Sequence, residues 1–331
     1  MDKTWLVTGG CGFIGTRLIR ALRELDSRFR VRVLDNLAVG EVSALRAVCP
    51  VDDLGRVAGE IPAVCPGSAQ FVCGDIKSAE AVRRAMHGVD LVVHLAANTG
   101  VGPSVEDPLA DCLNNVVGTL NTLEAARQAG ARRFIFASSG APVGEVVPPI
   151  HEEVVPRPVS PYGASKLAGE GYCSAYARTF GLETVGLRFG NVYGPGSGHK
   201  SSVVAKFIKD ARTTGVLHIN GDGSQTRDFI YIDDLVQAVL VAASTRGVGG
   251  EIFQIATERE TSVAEIADLV KSKLALFGIP SPRVVYEIPR KGDVARNYSD
   301  TSKARRLLGW KATTGLEIGI EKTIRAFMES G

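Results

Sequence analysis

The chain has 331 residues, of which 45% are hydrophobic and 22% charged, and its formal net charge is +2. That composition is of an ordinary globular protein longer than one typical domain, and the near-neutral balance gives no reason to expect nucleic acid or a membrane surface as partner. No run of 18 or more apolar residues is present, which excludes a hydrophobic membrane-spanning helix.

In chain order, the first half alternates short apolar runs with helical stretches. Thr4–Thr8, Val31–Leu34, Gln70–Val72, Asp90–His94 and Arg133–Ala137 read as buried strands, and Ile14–Leu25, Ala79–Met86 and Cys112–Ala129 carry helical spacing. This rhythm predicts an α/β fold of Rossmann type, a doubly wound parallel sheet with helices on both faces. The stretch from Leu37 to Ala69 is less regular and holds one helix around Val42–Val48. A helix over Pro161–Phe180 and a strand over Thr184–Arg188 follow. Shorter strands are expected near Leu217–Ile219, Phe229–Tyr231, Ile252–Gln254 and Val284–Tyr286, with helices near Asp233–Ser244, Val263–Leu276 and Leu316–Met328. The expected division is residues 1–188 for the nucleotide-binding domain and 189–331 for a smaller mixed α/β lobe, with late elements of 220–260 free to return to the first.

The start of the chain lacks the charged, apolar and small-residue regions of a signal peptide. The six cysteines (Cys11, Cys49, Cys65, Cys73, Cys112, Cys173) form no CxxC or Cys/His cluster. Neither a metal site nor a disulfide framework is expected, and the cytoplasm is the default compartment.

Strand Thr4–Thr8 runs into Gly9-Gly10-Cys11-Gly12-Phe13-Ile14-Gly15 and then a helix. Glycines at 9, 12 and 15 allow a tight turn, close approach of backbone to a pyrophosphate, and a helix N-terminus aimed at its charge. Asp35 ends the next strand, 20 residues past Gly15. An acid there accepts hydrogen bonds from the adenosine ribose and repels a 2′-phosphate. Asn36, Leu37 and Ala38 follow it with no basic residue, so NAD is favoured over NADP. Asp75-Ile76, after the third strand, either faces the adenine or is a simple turn. Farther on, Tyr162 and Lys166 stand four apart on a helix and share a face. A lysine ammonium beside a tyrosine favours the phenolate, so the pair suits general base or acid work on a hydroxyl or carbonyl group, with Ser139 upstream. Ser160-Pro161 is a helix start, which puts Tyr162 in the first turn.

These residues together resemble the extended short-chain dehydrogenase/reductases, and within them the nucleotide-sugar epimerases of UDP-galactose/UDP-glucose 4-epimerase type. The resemblance spans nearly the whole chain. It rests on TGGCGFIG at 8–15, Asp35-Asn36, Gly74-Asp75-Ile76, Leu95-Ala96-Ala97, Asn114, Ser138-Ser139, Tyr162 to Lys166, Arg188 to Pro195, Gly221 to Asp228 and Arg290 to Asp293. It implies a cofactor site of Gly9, Gly12, Phe13, Ile14, Gly15, Asp35, Asn36, Asp75, Ile76, Leu95, Ala96, Ala97, Asn114, Tyr162 and Lys166. It implies Tyr162 as base, Lys166 as its tuner and nicotinamide-ribose ligand, and Ser139 as hydrogen-bond partner of the sugar oxygen at C4. Asn191, Arg227 and Arg290 match diphosphate contacts and Asp293 a ribose ligand. A UDP-sugar substrate, NAD held as a prosthetic group and a homodimer follow from the same resemblance.

The fold alone does not choose among epimerase, dehydratase, decarboxylase and ketoreductase. Family dehydratases and decarboxylases carry an acid directly after the Ser139 position. Gly140 and Ala141 stand there instead, which leaves epimerisation with ketoreduction behind it. The family's Val-Tyr-Gly is replaced by Pro142-Val143-Gly144, which alters the wall beside the sugar. UDP-glucose/UDP-galactose interconversion is expected. UDP-glucuronate 4-epimerisation is the rival, for which Lys200 would answer the C6 carboxylate. A 4-ketoreductase and a non-catalytic NAD-binding regulatory protein remain as further readings.

Overall fold

The computed structural model describes residues 3–289 and 294–329. Its elements group into two compact units, one of residues 1–142, 158–188 and 239–253 and the other of 143–157, 189–238 and 254–331.

In the first unit the chain runs β1 (Thr4–Thr8), α1 (Phe13–Leu25), β2 (Arg30–Asp35), α2 (Val42–Arg46), β3 (Val51–Asp53), β4 (Ser68–Cys73), α3 (Ala79–Ala85) and β5 (Leu91–His94). It continues with α4 (Val101–Glu106), α5 (Pro108–Cys112), a π-helical turn (Leu113–Val117), α6 (Gly118–Gln128), β6 (Arg133–Ser139), α7 (Pro161–Phe180) and β7 (Glu183–Phe189). The strands join one eight-stranded sheet, completed by a later strand, β12 (Glu251–Ile255), in the order β12-β7-β6-β5-β1-β2-β4-β3. Every pairing from β3 to β6 is parallel. The order reverses at β1, with β2 on one side and β5 on the other. In a doubly wound sheet the C-terminal ends of strands at such a reversal are where ligands bind. Leu6, Val33, Val92, Phe134 and Phe136 are wholly buried, as expected for strands covered on both faces.

The second unit holds β8 (Asn191–Tyr193), α8 (Val203–Thr213), β9 (Val216–Asn220), β10 (Thr226–Arg227) and β11 (Phe229–Tyr231). Helix α9 (Ile232–Ser244) leads to β12 (Glu251–Ile255), and β13 (Thr261–Ser262), α10 (Val263–Ala275), β14 (Arg283–Glu287), α11 (Ser302–Leu308) and α12 (Leu316–Glu329) close the chain. Strand β8 pairs in parallel with β11, and β9 in parallel with β14. Helix α10 begins with a capping box in which Ser262 and Glu265 satisfy each other's backbone N–H groups.

One expectation needs correction. The stretch expected as one helix from Cys112 starts earlier, at Pro108, and is interrupted by the π turn. Asp107 caps α5 by accepting the Ala110 N–H, and Pro108 fits the first turn. Residues 143–157 belong with the second unit because Ile150 exchanges backbone hydrogen bonds with Tyr298 and Asp300, and Glu152 accepts the Gln254 N–H. No helix among the described residues is long and apolar enough to cross a membrane.

Candidate active site

At the C-terminal end of β1, Gly9 adopts φ +70° and donates to Leu34 O at 2.9 Å. A Cβ on Gly9 would lie 2.8 Å from Ala96 N, and one on Gly15 would lie 2.6 Å from Gly10 Cα, so neither position accepts a side chain. Gly12 is the N-cap of α1 and has no side-chain cap. A Cβ built there meets only Gly9 O, at 3.3 Å. The turn is therefore a bare backbone cradle at the start of a helix, the shape and polarity that a pyrophosphate fits. Phe13 begins α1 and is buried, with Ile14 half-buried beside it.

Asp35 is buried at the end of β2, accepting the Cys11 N–H at 3.0 Å and the Leu37 N–H at 2.9 Å. The bond to Cys11 ties it to the glycine turn. Next to it, Asn36 Nδ2 donates to Asp75 Oδ2 at 3.1 Å. Burial raises the Asp75 carboxyl, but hydrogen bonds from Lys77 and Asn36 outweigh it and leave the group below its ordinary range. Lys77 Nζ lies 2.7 Å from Asp75 Oδ2 and 3.1 Å from Asn114 Oδ1, so it links two expected cofactor contacts. Ile76 is buried, and Leu95, Ala96 and Ala97 are half-buried just past β5, where Ala96 N donates to Thr8 Oγ1. The whole expected NAD set is thus gathered at the C-terminal ends of β1, β2, β4 and β5, apart from Asn114 on the π turn and Tyr162 and Lys166 on α7. These residues fit a dinucleotide without a 2′-phosphate.

Helix α7 carries the expected Tyr162-Lys166 pair. Ser160 Oγ accepts the Gly163 N–H at 3.1 Å, Pro161 is at the first position, and Gly181 ends the helix at φ +70°. Gly163 packs on the Ala141 carbonyl, where a Cβ would come within 2.6 Å, so Tyr162 is held beside the end of β6. Ser139 Oγ accepts the Ala141 N–H at 3.2 Å, and Ser139 is near enough to act on the Tyr162 hydroxyl. Lys166 is buried and donates to Ala137 O at 2.8 Å, with its Nζ 5.9 Å from the Tyr162 ring centroid. In the protein alone, Tyr162 does not show the lowered pKa expected of a lysine neighbour. Burial pushes its hydroxyl up to about 12, the Ser139 hydrogen bond draws it back in part, and the Asp111 charge raises it. Burial also brings Lys166 down to about 8, against the charges of Asp111 and Glu170. At neutral pH the pair is therefore a phenol beside an ammonium. Further positive charge at the site is needed to make Tyr162 a base.

Several polar groups at this site carry no sequence motif of their own. His94 is wholly buried between Thr8 Oγ1 at 2.8 Å and Thr119 Oγ1 at 3.1 Å. Thr119 Oγ1 donates to Asn115 O, so it accepts from His94 Nε2–H. The ring is then the Nε2–H tautomer, and Thr8 donates to Nδ1. Asn115 and Asp111 are buried as well and bonded to each other at 2.8 Å. Asn115 lies on the π turn, inside the stretch whose spacing reads as one regular helix, and Asp111 lies just before that stretch.

In the second unit, Asn191 is exposed on β8 and its N–H donates to Asp228 O at 2.7 Å. Arg227 on β10 is half-buried, with Nη1 donating to Thr226 O at 2.6 Å and Val294 O at 2.8 Å. Lys200 is half-buried, and burial alone lowers its ammonium below the usual range. Arg290 and Asp293 lie outside the described residues. No group of three or more His, Cys, Asp or Glu able to hold a metal occurs among the described residues.

Residues 5–256 match the NAD dependent epimerase/dehydratase family. A putative UDP-glucose 4-epimerase of Methanocaldococcus jannaschii is 36% identical over 324 residues, 96% of each chain. A UDP-glucuronate 4-epimerase of Thermodesulfobacterium geofontis is 31% identical over 324 residues, 97% of this chain and 94% of its own. The crystal structure of UDP-glucose 4-epimerase from Thermotoga maritima with UDP-glucose superposes with a TM-score of 0.86 at 36% identity, covering 99% of both chains. With its glycine turn, its acid at the end of β2 and its Ser139-Tyr162-Lys166 group, this chain belongs to the NAD dependent epimerase/dehydratase family.

Proposed function

We propose that this protein is an NAD-dependent 4-epimerase of a UDP-hexose, interconverting UDP-glucose and UDP-galactose through a transient 4-keto sugar. Bound NAD supplies a reversible hydride acceptor at the sugar C4. Tyr162 takes the proton of the 4-hydroxyl and later returns it, and Ser139 holds the same oxygen. Lys166 keeps a positive charge beside Tyr162, and the further positive charge of the bound cofactor brings the phenol down from about 12 toward the working range. The proton returned to the sugar oxygen is the one removed from it, so the cycle leaves Tyr162 and the cofactor as they began.

The observation that carries this reading is the pairing of a complete Ser139-Tyr162-Lys166 group with Gly140 and Ala141. Neither residue can move a proton at C5 or C6, so elimination has no acid or base in that segment. Asn191 and Arg227 supply polar contacts of the kind a diphosphate needs, Arg227 through a planar guanidinium. Assay of the purified protein on UDP-glucose, with the product read by chromatography and no reductant added, tests the reading. Formation of UDP-galactose is expected, and a 4-keto-6-deoxy product would overturn it.

UDP-glucuronate is a second substrate reading, favoured by Lys200, whose partial burial strengthens its attraction to a carboxylate. A kcat/KM ratio for UDP-glucuronate over UDP-glucose well above one, collapsing in Lys200→Ala, would establish it. A homodimer formed through α5, the π turn, α6 and α7 belongs to the same proposal. Leu109, Leu113 and Val117 recur every four residues and stay exposed, with Tyr172 exposed on α7. Leu113→Glu should yield a monomer by light scattering, whereas a monomeric unaltered protein would remove the contact.

A further inference from the structure

Asp111 has no part in the chemistry so far, yet it sits in the polar centre of the first unit. It is 1% exposed, with Oδ1 accepting from Asn115 Nδ2 at 2.8 Å. Its Oδ2 has no hydrogen-bond partner among the described residues. A buried carboxylate with half of its capacity unused is costly, and replacing it by a neutral group would lower that cost. The Asn115 amide is a junction. Its Nδ2 also lies 2.9 Å from Asn98 O and 3.3 Å from Ser165 Oγ, and its Oδ1 accepts the Asn98 N–H at 2.8 Å. Ser165 in turn donates to Tyr162 O at 3.0 Å. One amide therefore ties the loop after β5, which carries Ala96 and Ala97, to the first turn of α7. Three acceptors compete for its two N–H groups, and the charged one is the strongest.

We propose that Asp111 is a positioning residue for the epimerase reaction. It fixes the Asn115 amide, and through Ser165 the backbone of Tyr162, and it places a fixed negative charge behind the reacting pair. The proposal rests on the reading of Tyr162 and Lys166 given above. The ionisable groups around Asp111 are Tyr162 and Lys166 on α7. Glu170 and Cys173 act on Lys166 from the same helix, and Lys166 in turn acts on His94 from β5. Cys112, Glu106 and Asp107, its neighbours on α5 and α4, are exposed. The Asp111 charge raises both the Tyr162 hydroxyl and the Lys166 ammonium. It thus helps keep the buried lysine charged, at the expense of holding the tyrosine proton more tightly. Both limbs of the pH profile set by this pair are placed by Asp111.

Asp111→Asn is isosteric and retains an oxygen that can accept from Asn115. In the NAD-loaded enzyme it should leave the KM for the UDP-sugar within about twofold and lower kcat by roughly tenfold. Both limbs of the kcat–pH profile should move to lower pH by about half a unit to one unit. A purely structural role would lower the melting temperature and leave the profile where it is, and a profile superimposable on that of the unaltered enzyme overturns the proposal. If Asp111→Asn does not fold, Ser165→Ala reads the same junction with less disturbance. A several-fold lower kcat at unchanged KM is expected, and an unchanged kcat overturns the link to Tyr162. If the unaltered enzyme turns over no UDP-sugar, the functional reading fails and not the role of Asp111 alone.

Discussion

Arg188 and Glu170 form a doubly hydrogen-bonded ion pair, Nε to Oε1 at 2.8 Å and Nη2 to Oε2 at 2.7 Å, with both side chains 2% exposed. Ser138, next to Ser139, donates to the same Glu170 Oε1 at 2.6 Å. Glu170 stands one helical turn after Lys166. The pair therefore joins β7 to α7 and to the end of β6, the elements that carry the reactive side chains. Glu170→Gln should leave the Arg188 charge buried and half-answered, at a cost of about 3–5 kcal/mol in denaturant unfolding. A loss well under ~1 kcal/mol would show that the pair does not hold these elements together.

His94 makes a second prediction through pH. Burial, with the Lys166 charge, lowers its pKa from 6.5 to about 3. Between those values the unfolded chain binds a proton that the folded chain refuses. The contribution of His94 is therefore fully present above pH 6.5 and is lost as pH falls toward 3. His94→Gln can accept from Thr8 and donate to Thr119 without titrating. Its melting temperature should be lower at pH 7 and fall less steeply than that of the unaltered protein from pH 6.5 to 4. Parallel curves would mean that the ring is charged in the fold.

The proposal assigns the choice between NAD and NADP to Asp35. Asp35→Ser, which keeps a hydrogen-bonding group and removes the charge, should weaken NAD binding roughly tenfold and narrow the preference over NADP. Adding a basic residue at Asn36 should carry the preference toward NADP. Calorimetry of both dinucleotides on the apoprotein reads this directly, and tighter NADP binding by the unaltered protein would refute it.

The parallel sheet, the glycine turn and the reactive helix were legible in the sequence because each rests on local rules. Thr4–Thr8 and Pro161–Phe180 fall where apolar patterning, Ser160-Pro161 and Gly181 put them. The short β3, β8, β10 and β13 were not legible, since their two or three residues lack the apolar run that marks the equally short Phe229–Tyr231. The proposed site was legible where motifs mark its residues, as with Asp35, Ser139 and Lys166. It was hidden where they act through burial. Asp111, Asn115 and His94 look like ordinary helix and strand residues until the π turn and the sheet bring them together. The raised Tyr162 hydroxyl was hidden for the same reason, because desolvation is a property of packing and not of spacing.

The reactive pair separates into two roles. Tyr162→Phe removes only a hydroxyl and should lower kcat on the order of 10²- to 10⁴-fold with sugar affinity nearly kept. Lys166→Met removes a buried charge and should lower kcat while also weakening NAD binding. Since Lys166 releases its proton near pH 8 in the protein alone, activity that needs the ammonium should decline as pH rises through that range. Comparable kcat in Tyr162→Phe and the unaltered enzyme would take Tyr162 out of the chemistry.

The most direct measurement is conversion of UDP-glucose by the purified protein with no nicotinamide oxidant or reductant added, followed to equilibrium alongside Tyr162→Phe. The expected result is a UDP-glucose/UDP-galactose mixture reached from either side, many turnovers per bound NAD, and almost none in the variant. Turnover that consumes added NADPH, a dehydrated product, or full activity in Tyr162→Phe would contradict it.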